Sequence, residues 1–309
     1  MIPATMETRL DPATRIGKVR LTVADLDRAT AFYRDRLGMA AIGGERGVAR
    51  LGPAGGAPLV ELALRPGARR VPGTTGLYHV AILVPTRADL ARAIRSLADL
   101  GQRFQGFSDH LVSEAAYLAD PESNGIEIYR DRPRAEWPRD GDGYVMAVDP
   151  LDVEGLLAEA GAGRGGAGGG TGAGAAAPKA TALPAGTANG HVHLRVSDLA
   201  DAEAFYVGLV GFDVTARYDR SALFVSAGGY HHHVGLNTWQ SRGAPAPPPD
   251  ATGLDYAEIV VPSDAALERV TARIASAGVA VEPRDGGRFA RDPAGNGLLF
   301  RAETKTPAS

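Results

Sequence analysis

The sequence contains no cysteine among its 309 residues. Disulfide bonds and thiolate metal sites are therefore excluded, and any bound metal must rest on histidine, aspartate or glutamate. The sequence also lacks an apolar run of the ~20 residues needed to span a bilayer. Residues 1–17 lack the apolar core of a signal peptide. We therefore expect a cytoplasmic protein without a membrane partner.

A strong charge of either sign is also missing. The 33 basic and 36 acidic residues give a net charge of −3, and no basic block or acidic tail stands out. Nothing in this balance favours nucleic acid as a partner. Hydrophobic residues make up 44% of the chain and charged residues 22%, which is typical of a globular protein. The length allows two domains with a substantial core in each.

What the sequence does contain is one pattern repeated four times. Residues 19–38 (VRLTVADLDRATAFYRDRLG) return as residues 192–211 (VHLRVSDLADAEAFYVGLVG). A second pair begins with YHVAILVP at Tyr78 and YAEIVVP at Tyr256, and each copy ends in an Asp-Pro turn and a last strand. Alternating apolar residues predict strands, and the 3.6-residue spacing that follows predicts a helix. Such repeats define the architecture.

The repeats predict an α+β fold of four βαβββ modules that form two cupped sheet barrels. Residues 161–190 are nearly all Gly, Ala, Thr and Pro, which predicts a flexible linker. An N-terminal domain of residues 1–160 would hold modules at about 17–65 and 76–131. A C-terminal domain of residues 191–309 would hold modules at about 191–240 and 253–303. A short helix is expected just before the linker, in DPLDVEGLLAEA.

Four segments carry a resemblance to a known family: GTTGLYHVAIL, DHLVSEAAYL, GIEIYRDRPR and GGYHHHVGLNTWQSRGAP. The chain resembles the vicinal oxygen chelate superfamily, which includes glyoxalase I, extradiol ring-cleaving dioxygenases and antibiotic-resistance proteins. Within it, these segments are most similar to the four-module bacterial enzymes of the catechol 2,3-dioxygenase family. The resemblance covers the whole chain except the linker.

The resemblance implies metal ligands on the first and last strands of paired modules. The second module offers His79 and Glu127, and the third offers His191 with Gly235 at the position of a fourth ligand. Two imidazoles and one carboxylate leave about three positions open on iron(II). Because Gly235 has no side chain, it would help to leave these coordination positions free. This assignment requires the second and third modules to share a barrel, so that the two sequence halves interlock.

The outer modules offer a poorer set at the same positions. These are Lys18 and Glu61 in the first module, and Tyr256 and Leu299 in the fourth. They could not assemble a comparable metal site. Glu61 is interpreted as a solvated strand residue, and any other role of the outer pair stays open.

The resemblance also implies catalytic residues. His110, Tyr117 and Glu127 follow the order and approximate spacing of the extradiol enzymes around an Asp-Pro turn, and a histidine three residues before Gly235 is His232. His110 and Tyr117 would hold the deprotonated substrate oxygen, and His232 would act as general acid–base.

Several assignments stay open between neighbours. Strand parity alone would favour His233 over His232, unless a bulge intervenes. His193 faces the same way as His191 and could be the ligand or a neighbour of it. Trp239 follows closely enough to line the pocket. The histidine run could also be only a hydrogen-bonded strand edge.

The implied function is an extradiol dioxygenase that cleaves catechol or a substituted catechol with O₂ and non-haem Fe(II), giving a 2-hydroxymuconic semialdehyde. Mn(II) suits the same ligands. The first alternative is a glyoxalase I-like or thiol-transferase metalloenzyme on the same fold, although glyoxalase would want a fourth ligand. The second is a non-catalytic drug-binding resistance protein without metal. The sequence leaves open the ring substituents and whether the chain forms a homo-oligomer.

Overall fold

The computed structural model describes residues 9–162 and 180–304. Each of the four repeats forms one strand, one helix and three further strands, as the pattern predicts. The first repeat comprises β1 (Arg15–Val23), α1 (Leu26–Asp35), β2 (Ala40–Glu45), β3 (Val48–Gly52) and β4 (Val60–Leu64). The second comprises β5 (Gly76–Leu83), α2 (Arg87–Asp99), β6 (Gly106–Asp109), β7 (Ser113–Ala119) and β8 (Gly125–Asp131).

The second half of the chain repeats this order after a small hairpin and a helix. The connecting elements are β9 (Arg139–Asp140), β10 (Gly143–Tyr144) and α3 (Val153–Ala162). The third repeat comprises β11 (Ala188–Arg195), α4 (Leu199–Glu203, continued by a π-helical turn at Ala204–Val210), β12 (Asp213–Tyr218), β13 (Ala222–Ser226) and β14 (Val234–Asn237). The fourth comprises β15 (Gly253–Val261), α5 (Asp264–Ser276), β16 (Glu282–Arg284), β17 (Gly287–Arg291) and β18 (Gly297–Ala302).

The repeats pair across the two sequence halves. One eight-stranded sheet has the order β16-β17-β18-β15-β1-β4-β3-β2 and joins the fourth repeat to the first. The other has the order β12-β13-β14-β11-β5-β8-β7-β6 and joins the third repeat to the second. In each sheet the two first strands meet antiparallel at the centre. The fold is therefore the predicted α+β arrangement of two curled sheets, and neither sequence half builds one of these eight-stranded sheets by itself.

The predicted linker lies partly outside the described residues, which omit 163–179. The described remainder is packed on the fold. Leu183 is buried, the backbone N–H of Thr181 donates to Ser96 Oγ at 2.8 Å, and β11 begins at Ala188. Residues 180–190 therefore pack on the first two repeats, which differs from the prediction of a linker reaching to residue 190.

Local sequence signals explain where the helices begin and end. The Asp198 side chain accepts hydrogen bonds from two backbone N–H groups of the first turn of α4 and so caps the helix. Gly211 ends it with a left-handed backbone (φ 97°), a conformation in which a side chain would be strained. Tyr206 on this helix donates to buried Asp292 at 3.0 Å, and Tyr33 on α1 donates to buried Asp120 at 3.1 Å. In both sequence halves, the Asp-Pro turn of one repeat is thus hydrogen-bonded to the helix of the repeat before it.

One large hydrophobic core is shared by all four repeats. The sheet faces that meet the helices supply it, with Val80 and Ile82 from β5 and Val192 and Leu194 from β11. Because side chains alternate along a strand, His79, His191 and His193 point to the opposite, concave face. In the described part of the chain, no helix has both the length and the apolar character to cross a membrane.

Candidate metal centre and cavity

Two imidazoles and one carboxylate converge on the concave face of the β11–β5 sheet. His79 Nε2 lies 2.9 Å from Glu127 Oε2, and His191 Nε2 lies 3.1 Å from the same oxygen. The two Nε2 atoms are 3.4 Å apart. All three side chains are buried. Ligands at about 2.0–2.2 Å from one divalent ion have such separations, so the three side chains could hold a metal.

The strand register brings these three residues together around the small side chain of Ala81. Ala81 on β5 pairs with Glu127 on the parallel strand β8 and with His191 on the antiparallel strand β11. His79 lies two residues earlier on β5 and faces the same side. The triad therefore spans three neighbouring strands from two different repeats.

The protonation states suit a cationic ligand. Burial alone would raise the pKa of the Glu127 carboxyl, but attraction to His191 and hydrogen bonds from both imidazoles hold that pKa well below its usual range. Burial lowers the pKa of His191 to about 4, although Glu127 opposes this shift. At neutral pH the site thus presents an ionised carboxylate and an uncharged His191, the charge states in which these groups bind metal.

His110 and Tyr117 form a hydrogen-bonded pair beside the triad. Tyr117 lies opposite Glu127 on the neighbouring strand β7. His110 Nδ1 lies 2.6 Å from the carbonyl oxygen of Ala147, so this nitrogen donates. His110 Nε2, 2.5 Å from Tyr117 Oη, must then accept the phenolic proton. Burial raises the pKa of Tyr117 well above its usual value, and Glu127 adds to the shift.

The backbone around His110 is constrained from both sides. Leu111 has a φ of 67°, a left-handed conformation that costs a leucine about 1 kcal/mol or more. Residues 145–149 return across the edge of the sheet, where Asp149 pairs with Asp109 through two backbone hydrogen bonds. This returning segment, which supplies the Ala147 carbonyl, was missed by sequence reasoning because nothing in its composition marks it.

The three consecutive histidines have three different environments. His232 lines the cavity, and its ring centroid lies 4.0 Å from that of His191. His231 is completely buried behind it, with Nε2 2.8 Å from Asp131 Oδ1. His233 lies outside the cavity lining, and its Nδ1 accepts a hydrogen bond from the backbone N–H of Ala227. This position differs from the pocket location predicted for His233.

His193 fills the space beside Gly235. The two residues are paired across β11 and β14, and a Cβ added to Gly235 would lie 2.9 Å from the imidazole of His193. The missing side chain therefore makes room for His193, which corrects the expectation that this space stays open for ligands. His193 Nε2 is buried without a hydrogen-bond partner, and burial lowers the pKa of this imidazole well below its usual value.

An open-mouthed cavity of about 720 Å³ lies over the triad. Its volume suits a small organic ligand. Trp239, which is 44% exposed, lies at its rim with an edge-on contact to Tyr78 and a tilted contact to His193. The lining includes His79, His110, Tyr117, Glu127, His191, His193, Phe224, His232 and Trp239. Of the predicted site residues, all but His233 thus lie in one cavity.

The outer sheet holds an ion-pair cluster at the corresponding place. Glu61 is fully buried, and its carboxylate accepts hydrogen bonds from Lys18 Nζ and Arg50 Nε, each at 2.7 Å, and from Arg20. The interpretation of Glu61 as a solvated strand residue was wrong. The Glu61 carboxylate is thus paired with three cationic side chains.

Two curled sheets, each built from two βαβββ repeats around a concave face, define the vicinal oxygen chelate fold. The chain belongs to the Glyoxalase/Bleomycin resistance protein/Dioxygenase superfamily, whose family model matches residues 15–128 and 189–300. It is 43% identical over 290 residues to a Bacillus subtilis (strain 168) protein named catechol-2,3-dioxygenase, covering 93% of this chain and 96% of that one. This likeness places the chain with the enzymes of the superfamily.

Solved structures share the fold at low sequence identity. A putative dioxygenase from Bacillus subtilis has a TM-score of 0.62 at 14% identity, with 97% of this chain and 87% of that chain covered. Glyoxalase I from Zea mays has a TM-score of 0.53 at 16% identity, with 93% and 92% covered. These similarities concern the architecture alone.

Proposed function

We propose that this protein is an extradiol ring-cleaving dioxygenase that acts on catechol or a substituted catechol with O₂ and non-haem Fe(II). The observation that carries the proposal is the convergence of His79, Glu127 and His191 in one cavity. Such a set would leave about three coordination positions for substrate and O₂. The 43% identity to a protein named catechol-2,3-dioxygenase supports the same activity.

His79, Glu127 and His191 would hold the iron, and the cavity lining would receive the aromatic ring. Bound there, Fe(II) would acidify the catechol hydroxyls and conduct electron density from the ring to O₂. Mn(II) is accepted by the same ligands, so metal identity is part of the proposal to be tested.

Tyr117 and His110 would position the substrate. In the structure the single Tyr117 proton is donated to His110 Nε2, so substrate binding would exchange this hydrogen bond for one to the substrate oxygen. Burial keeps the Tyr117 phenol protonated at neutral pH, so this proton could turn from His110 to an ionised substrate oxygen when substrate binds.

His232 would act as the general acid–base. It lines the cavity next to His191. An imidazole there can accept a proton from the substrate hydroxyl and return it during ring opening and hydrolysis. The product would be a 2-hydroxymuconic semialdehyde.

The test uses protein loaded anaerobically with Fe(II) and, in a parallel sample, with Mn(II). Catechol and O₂ should give oxygen uptake and a yellow ring-opened product with at least one of the metals. Isomerisation of a methylglyoxal–thiol adduct without oxygen uptake would instead indicate a glyoxalase-like enzyme. A failure to retain stoichiometric metal after anaerobic purification would favour a drug-binding protein.

The His232→Phe variant separates binding from chemistry. It should keep its metal and slow ring cleavage by roughly 10²–10⁴-fold, the usual contribution of a positioned acid–base group. Undiminished turnover would remove His232 from the mechanism.

A further inference from the structure

A chain of hydrogen-bonded side chains extends from His232 away from the cavity. His232 Nδ1 lies 2.8 Å from His231 Nδ1, and His231 Nε2 lies 2.8 Å from Asp131 Oδ1. Tyr230 Oη lies 2.9 Å from Asp131 Oδ2 and 2.8 Å from Tyr129 Oη. Each contact is within hydrogen-bonding distance. This series of hydrogen bonds connects the end of β8 in the second repeat to the loop before β14 in the third.

The carboxylate at one end fixes the direction of these hydrogen bonds. An ionised Asp131 can only accept, so Tyr230 donates to Oδ2 and His231 donates to Oδ1 from Nε2. Tyr129, which is fully buried, then donates to Tyr230. Both oxygens of Asp131 are thereby engaged, which holds the carboxylate in place.

The proton on His231 Nε2 determines the proton position on His232. A neutral imidazole carries one proton, so His231 Nδ1 is left as an acceptor. The neighbouring His232 Nδ1 must then donate across the 2.8 Å contact. Its second nitrogen, Nε2, is left with a free lone pair, and His232 is the histidine of the run that lines the cavity.

We propose that Asp131 and His231 are positioning residues that hold His232 in its Nδ1-protonated tautomer and present its Nε2 lone pair to the cavity. The catalytic consequence rests on the proposed function, because a free lone pair is what a base needs to take a proton from a catechol hydroxyl. The tautomer is a property of the folded chain and does not depend on that function.

The packing around His231 supports a positioning role. The side chain is completely buried, and its ring contacts Trp137 and Tyr230 with centroid distances of 5.1 and 4.1 Å. The carbonyl of His231 accepts a hydrogen bond from Thr215 Oγ1 at 2.6 Å. A residue held through both its backbone and its ring keeps one orientation. It can therefore hold the hydrogen-bonded neighbouring imidazole in one orientation, which a freely rotating ring could not do.

The first test is spectroscopic and uses the wild-type protein without metal. Long-range ¹H–¹⁵N correlation spectra of ¹⁵N-histidine-labelled protein report which ring nitrogen carries a proton, and the His232→Phe spectrum assigns the His232 signals. We expect His232 to be protonated at Nδ1 and His231 at Nε2. A doubly protonated His231, or His232 protonated at Nε2, would overturn the proposal.

The second test compares two substitutions of His231. In His231→Asn the side-chain oxygen can accept from His232 Nδ1, whereas His231→Phe keeps a ring but offers no acceptor. The Asn variant should keep the His232 tautomer, and the Phe variant should populate the other one.

In the iron-loaded enzyme, kcat of the Phe variant should fall by about 10- to 100-fold, within the contribution of a positioned acid–base group. KM for catechol and metal content should be unchanged, and the Asn variant should recover most of the loss. Equal kcat losses in both variants would refute the positioning role. Correct tautomers in a protein without ring cleavage would refute the proposed function alone.

Discussion

His79 and His191 lie diagonally across the antiparallel pair β5 and β11, with their Nε2 atoms 3.4 Å apart. The two strands come from repeats on opposite sides of the glycine-rich segment of the sequence. The Glu127 carboxylate bridges them from a third strand. The candidate metal centre therefore forms only when the second and third repeats are joined in one sheet.

The Glu127→Ala variant should lose its metal. The carboxylate lies against both imidazole nitrogens, and removing it leaves two neutral donors and no negative charge for a divalent cation. Loss of a residue that only hydrogen-bonds to a metal ligand lowers metal affinity by up to about 100-fold. Because Glu127 is itself a proposed ligand, we expect its loss to lower metal affinity by at least that factor. Metal analysis after anaerobic loading measures this. The matched control is Glu61→Ala in the outer sheet, which should retain metal per folded chain; full occupancy in Glu127→Ala would contradict the assignment.

The Tyr117→Phe variant should bind metal normally and turn over more slowly. It loses the hydroxyl that donates to His110 and faces the cavity. A fall in kcat of about 10- to 100-fold is expected for one positioned hydrogen bond. Steady-state oxygen uptake and metal analysis provide the measurement.

Tyr33→Phe is the matched control for this substitution. Tyr33 donates to buried Asp120, and neither residue lines the cavity, so its loss should cost about 1–3 kcal/mol of stability and leave kcat unchanged. An equal loss of kcat in both variants would mean that Tyr117 acts through stability alone.

The Gly235→Ala variant should disturb His193. The added Cβ would lie 2.9 Å from the imidazole, so the ring has to move from its buried position. We expect a loss of about 1–3 kcal/mol from overpacking, together with reduced turnover. Gly208→Ala is the control, because its Cβ would meet nothing within 4 Å and alanine favours a helix. Denaturant unfolding of both variants decides the point, and equal stabilities would show that the space at Gly235 is not limiting.

The outer ion-pair cluster should make stability depend on acid pH. Burial alone would raise the pKa of Glu61, but hydrogen bonds from Lys18 and Arg50 outweigh it and lower the pKa from 4.5 to about 2. A carboxyl with a depressed folded-state pKa stabilises above its unfolded pKa, and that contribution is lost as the pH falls from about 4.5 towards 2.

The Glu61→Gln variant measures this contribution. It should be less stable than wild type by about 1–3 kcal/mol at pH 7, less than for a fully buried pair because the cations are partly exposed. The difference should shrink below pH 4.5. A difference that stays constant down to pH 3 would show that Glu61 does not titrate in this range.

Much of the fold could be predicted because its signals are local. Alternating apolar residues specified the strands, Asp198 and Gly211 marked the ends of a helix, and the Asp-Pro turns marked the last strand of a repeat. The metal-ligand candidates also followed from the sequence, since repeat alignment shows which copies keep histidine and glutamate. The hydrogen bond from His110 to the Ala147 carbonyl could not be predicted, because a backbone carbonyl has no sequence signature.

The sequence by itself determined the four repeats, the exclusion of thiolate chemistry and the donor types available to a metal. Only the tertiary structure decided that the second and third repeats share a sheet, that His193 fills the space beside Gly235, and that His231 lies between Asp131 and His232. The physical reason is that all four repeats present similar apolar faces, so strand pairing depends on the packing of the whole chain. Contacts between residues about 100 positions apart, such as Asp131 and His231, arise only once that packing is complete.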